Sequence, residues 1–209
     1  MDTVSTARAT GAWYLALAVA GGVGFLLLRP LALDDPANTM PARLVVALEL
    51  ATVLTQAVTA VWFFRLLAAF NGVAAASVLG FGLAGAAAVL MSATSLGAAS
   101  HVPAANLELL HALSDSAWVT GGLFFGLWLI PMGWAAVRSQ RMPVALGWTL
   151  VVGGAGYIAS TLVAVLWPHS SLTSLLTAPA TVGEFWMITY LLVWGIRPRD
   201  ARTVRSGRQ

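Results

Sequence analysis

Six apolar runs, each close to 20 residues long, constrain this chain more than any other feature. They cover roughly 12–29, 43–64, 73–96, 117–137, 144–167 and 179–196. About 20 helical residues span ~30 Å, the thickness of a bilayer's hydrocarbon core, and a lipid-crossing segment must satisfy its own backbone. The reading is an all-α, polytopic membrane protein with six transmembrane helices. Composition agrees: 59% of residues are hydrophobic and 9% charged, against about 25% charged in soluble domains. The layout is a short tail at 1–11, a six-helix bundle over 12–197 and an arginine-rich tail at 198–209.

The first run follows Arg8 and imitates a signal peptide, but no A-x-A-like site follows it, so it counts as a span. Pro30, Pro41, Pro143, Pro168 and Pro198 fall at expected span edges. Asn71-Gly72 marks a tight turn. The chain has no cysteine, which excludes disulfides, thiolate metal sites and cysteine nucleophiles. The redox compartment is left open.

All 11 basic residues are arginines. Arg8, Arg65, Arg138, Arg141, Arg197, Arg199, Arg202, Arg205 and Arg208 fall on one side of the predicted bundle, and Arg29 and Arg43 on the other. The positive-inside rule then puts both termini in the cytoplasm and the protein in the cell's inner (plasma) membrane. Trp13, Trp62, Trp134, Trp148 and Trp194 agree as an inner belt. The arginine tail reads as a solvated topology signal that touches membrane lipid, with no role in binding nucleic acid. The opposite side gathers Asp34, Asp35, Glu108, Asp115 and the three histidines His101, His111 and His169.

Polar residues inside the spans raise the functional question. Glu49, Thr52, Gln56 and Thr59 share one helix face, which should look inward. Span five offers Gly153, Tyr157, Ser160 and Thr161, and span three Gly85, Ala88, Ser92 and Ser95. Glu184 is expected about one turn below the outer end of span six, level with Glu49 in the outer third. A helix starting at Pro103 places Glu108, His111 and Asp115 on one stripe that continues to Gly122 and Gly126, a small-residue packing pair. Asp115 is alternatively the N-cap of span four, with His111 an interfacial residue. Glu184 and Glu49 are alternatively held by plain interhelical hydrogen bonds. Arg29 is a possible counter-ion, although snorkelling outward is the commoner fate. GGVGF (21–25) and GGAGY (153–157) hint at a repeated helical hairpin.

The stretch FFGLWLIPMGWAAVRSQRMPVALGWTLVVGGAGY (124–157), after His111, together with GEFWMITYLLVWG (183–195), resembles the bacterial domain-of-unknown-function family 4386. The likeness runs from about residue 10 to 197. The family often carries a basic residue where Val144 follows Pro143 here. The resemblance implies a six-helix bacterial membrane protein and no particular activity. His111 and Glu184 sit where the family carries His and Glu.

The leading functional expectation is binding of a lipid-like or small amphiphilic ligand, or of a membrane partner protein, in an outer-leaflet polar cavity. Its candidate residues are Glu49, Gln56, His111, Asp115, Tyr157, Ser160 and Glu184. The alternative is an intramembrane hydrolase in which Glu49, His111, Asp115 and Glu184 share acid/base work, or in which His111, Asp115 and Glu184 hold a metal. A small-molecule transporter is the third reading, disfavoured by acids expected to cluster in one half. No nucleotide, flavin or haem signature occurs, and no cofactor is assigned.

Overall fold

The structure, a computed structural model, describes residues 3–34, 39–99, 101–168 and 170–196. His169, Asp35 and the tail arginines from Arg197 onward lie outside the described residues. The elements are α1 (Thr3–Gly22), a π-helical stretch (Val23–Leu28), α2 (Arg29–Asp34), α3 (Thr39–Ala68), α4 (Gly72–Ala99), a 3₁₀ turn (Ala104–Asn106), α5 (Leu107–Ser139), α6 (Val144–Leu166) and α7 (Leu172–Val193). No strand occurs among the described residues. Six helical segments are long and apolar enough to cross a membrane, the first running unbroken from Thr3 to Leu31.

The helices overrun the expected edges. Pro30 and Pro41 lie inside helical segments, and Pro179 lies inside α7, which begins at Leu172. Pro41 lies in the first turn of α3, where a missing N–H costs little, whereas Pro30 and Pro179 lie beyond a first turn and are carried inside their helical segments. The turn at Asn71 forms as expected, and the Asn71 side chain accepts a hydrogen bond from the Ala74 amide, capping α4. At the other end of the bundle Gln140 takes a left-handed conformation (φ 54°) and closes α5.

Chain order and spatial order coincide. Each span packs on the one before and the one after it, and α1 closes the ring against α7. Gly195 lies against Val4 and Ala7, so both ends of the described chain meet at one face. The loop at 138–143 joins that face: the Tyr190 hydroxyl donates to the Arg141 carbonyl at 3.0 Å, and the Arg141 guanidinium lies 5.6 Å from the Phe70 ring. Arg65 and Arg138 sit over Trp62 and Trp134 there, at 4.8 and 5.7 Å. This is the termini face. The far face carries His101, Glu108 and His111.

Small residues set the helix contacts. A Cβ on Gly126 would lie 2.5 Å from the Gly154 carbonyl oxygen, and one on Gly154 2.7 Å from that of Gly126. Gly133 and Gly147 repeat the arrangement seven residues along. Backbone thus meets backbone twice along the antiparallel α5–α6 pair, as small-residue packing in lipid requires. The two glycine motifs also pack alike. Gly21 faces Thr52 and Gly24 faces Leu48, while Gly153 faces Ala180 and Gly156 faces Leu176. The first and third glycines of each motif therefore seat the descending helix of their own hairpin. The same register matches Gln56 to Glu184.

The π-helical stretch decides where Arg29 points. Gly24 is buried against Leu48. In an α-helix the next residue on that face would be Leu28, four positions on. Instead the Arg29 amide bonds to the Gly24 carbonyl, five positions back. The extra residue brings Arg29 onto the buried face. Pro30 gives a local cause, since its ring crowds the carbonyl of the preceding turn and it has no N–H to donate.

Candidate functional site

Arg29 is the centre of a polar cluster joining four spans, and its side chain is only 8% exposed. Nη1 donates to Glu49 Oε1 at 2.7 Å and, more weakly, to Ser92 Oγ at 3.4 Å. Nη2 donates to Ser114 Oγ at 2.7 Å and to Asp115 Oδ1 at 2.6 Å. Ser92 Oγ and Ser114 Oγ lie 2.7 Å apart and close the cluster between α4 and α5. Arg29 therefore turns inward rather than snorkelling, because two carboxylates and two hydroxyls replace its water.

Glu49 supplies the deepest acid of the cluster. Its Oε1 accepts from Arg29, from Ser92 Oγ at 3.0 Å and from the Trp118 indole N–H at 2.8 Å. Its Oε2 is buried and has no hydrogen-bond partner. The helix face expected to look inward does so, with Glu49, Thr52, Gln56 and Thr59 all buried. The threonines are spent on their own helix: Thr52 and Thr59 donate to the carbonyls of Leu48 and Thr55. Gln56 fits over Gly85, where a Cβ would come within 2.6 Å of its Nε2.

Asp115 stands differently. It lies well inside α5, whose N-cap is Asn106, so the N-cap alternative fails. Its side chain is 56% exposed while bound to Arg29. Its neighbour Ser114 takes the fully buried position. Gly122 and Gly126 pack on Thr161 and Gly154 of α6, so the expected single stripe from His111 to Gly126 splits. The stripe's upper acid faces Arg29 from the rim, and the glycines face α6.

Residues 9–195 match the family described as a domain of unknown function, DUF4386. The chain belongs to this family. No curated protein and no solved structure matched it.

In this DUF4386 member a second polar centre lies apart from the first. The Tyr14 hydroxyl donates to Glu184 Oε1 at 2.7 Å, linking the first and last spans. Tyr14 is buried, its ring edge-on to Phe63 and Trp128 at 5.4 and 5.6 Å. Tyr157 lies within electrostatic reach of Glu184, and its ring meets Phe125 at 6.2 Å. The expected depth of Glu184 is corrected. It lies 12 residues after Leu172 and 9 before Val193, ~14 Å above the termini-face end of its helix, against ~28 Å for Glu49 above Ala68. The misreading came from starting the span at Pro179.

The candidate residues thus separate. Glu49 and Asp115 converge through Arg29. Glu184 and Tyr157 belong to the second centre, and Ser160 donates to the Thr173 carbonyl at 3.1 Å, an α6-to-α7 tie. His111 is half-buried, and among the described residues no hydrogen bond joins it to the cluster. No three His, Asp or Glu side chains gather to hold a metal among the described residues, so His111, Asp115 and Glu184 do not form such a set. Sequence reasoning missed the parts that Ser114, Trp118 and Tyr14 play in these two centres.

Proposed function

We propose that this membrane protein binds a lipid-like or small amphiphilic ligand at the Arg29 cluster, on the side of the membrane opposite the termini. The observation that supports this reading is the cluster's uneven satisfaction. Every terminal nitrogen of Arg29 is engaged, yet a buried oxygen of Glu49 has no partner and Asp115 is open to the surroundings. A buried, unsatisfied polar atom is costly and uncommon in proteins, and an incoming polar head would satisfy it. The exposed apolar side chains Phe25, Leu26 and Leu27, one turn away, would lie beside a hydrocarbon tail. The arginine distribution supports an orientation with both termini cytoplasmic and the cluster in the outer leaflet of the plasma membrane.

Shared acid/base hydrolysis draws less support. Glu49 and Asp115 are both bound to Arg29, Glu184 is bound to Tyr14, and His111 stands apart. Transport gains one point, since Glu184 lies deeper than expected, but the threonines between the two centres are already hydrogen-bonded to backbone.

The test is a mass-spectrometric inventory of small molecules and metals that co-purify with the protein and with Asp115→Ala. One amphiphile class enriched over the bulk lipid, and depleted in the variant, is the expected result. Identical bulk-lipid profiles from both proteins would count against binding, and a stoichiometric metal lost in Asp115→Ala would revive the enzyme.

A further inference from the structure

The cluster's charges and free acceptors specify the head of its ligand. Formally the site holds one cation, Arg29, and two anions, Glu49 and Asp115. An anionic head would meet two carboxylates and an arginine whose terminal nitrogens are already bonded. A site of this balance lacks one positive charge. It also lacks donors, since Glu49 Oε2 accepts from nothing and Asp115 is held through Oδ1. Hydrogen bonds between charged partners are the short, strong class, and a primary ammonium carries three such donors on a compact cation.

The walls suit the same group. Trp118, bonded to Glu49, packs on Phe25 with ring centroids 4.8 Å apart, and the Arg29 guanidinium already rests 5.9 Å from the Phe25 centroid. Aromatic faces attract cations and are indifferent or hostile to anions. The indole of Trp118 is fixed by its bond to Glu49, so the wall is preorganised. Asp115, exposed at the rim, offers the entry point, and Glu49 Oε2 the buried terminus.

We propose that the Arg29–Glu49–Asp115 cluster recognises a primary ammonium head, which donates to Glu49 Oε2 and to the exposed carboxylate of Asp115 beside Phe25 and Trp118. This rests on the ligand-binding reading above and names the chemistry of the head. An alkylamine dissolved in water and an amine-headed lipid share that chemistry.

The experiment uses the full chain in zwitterionic lipid nanodiscs, labelled with 5-fluorotryptophan, with the Trp118 fluorine resonance assigned by its loss in Trp118→Phe. Dodecylammonium, butylammonium and laurate are titrated in turn. Dodecylammonium is expected to move the Trp118 resonance saturably. Glu49→Gln and Asp115→Asn should each weaken that response by about tenfold or more. Glu49→Gln keeps the oxygen that three donors use and puts an amide N–H₂ where the free oxygen was. The resonances of the other tryptophans among the nine report that each variant is folded. A response that grows with chain length assigns the ammonium to a lipid, and an equal response to butylammonium assigns it to a soluble amine. Laurate matching dodecylammonium would overturn the ammonium head while leaving amphiphile binding intact. No response to any of the three would overturn both.

Discussion

Glu49 and Glu184 descend from the same face of the bundle on different helices, yet they are held on different terms. One oxygen of Glu49 collects three donors from three other spans, one of them fully charged. Glu184 takes a single neutral hydroxyl, from Tyr14. The first arrangement cross-links helices that are not neighbours in the ring, since Arg29 reaches α5 past α3 and α4. The second merely strengthens the seam where the ring closes. A charged hub and a neutral latch should therefore answer mutation differently.

The largest effect is expected at Arg29. Its replacement by Ala leaves Glu49 buried without its cation, and stability should fall by about 3–5 kcal/mol, measured by denaturing-detergent titration in mixed micelles. The double variant Arg29→Met/Glu49→Leu should recover most of that loss, because replacing both partners removes the unpaired charge. A single variant as stable as the parent would erase the distinction between the two centres. At the latch, Tyr14→Phe should cost about 0.6 kcal/mol and at most about 1.7 kcal/mol, the mean and maximum found for interhelical hydrogen bonds in membranes. Asp115→Asn should cost less than about 1 kcal/mol, since more than half of that side chain is exposed and the amide keeps an oxygen that Arg29 can donate to.

The spans were legible because length and apolarity alone decide what can cross a bilayer, and Gly85 and the Glu49–Thr59 face were legible from helical spacing. Arg29 was harder. Its inward turn depends on one i→i−5 hydrogen bond, and a straight α-helical reading puts Leu28 there instead. The start of α7 was misplaced because Pro179 looked like an edge, and Glu184 moved with it. Tyr14 was invisible as a partner, since it lies 170 residues from Glu184 and only ring closure brings them together. Asp115 and Ser114 show the finer limit. Helical spacing names a stripe, but which of two adjacent polar residues goes inside is settled by the neighbour that waits there.

The coincidence of chain order with ring order makes the protein permutable in principle. With Gly195 lying on Val4 and Ala7, a linker through the tail could join the two ends, and new ends could open at the loop after Ser139 without any helix changing its neighbours. The backbone is then closer to a closed necklace than to a thread with a beginning. What would remain particular to the natural order is that Arg29 and Glu49, two of the cluster's three charges, are synthesised before Ser92, Ser114 and Asp115 arrive to complete it.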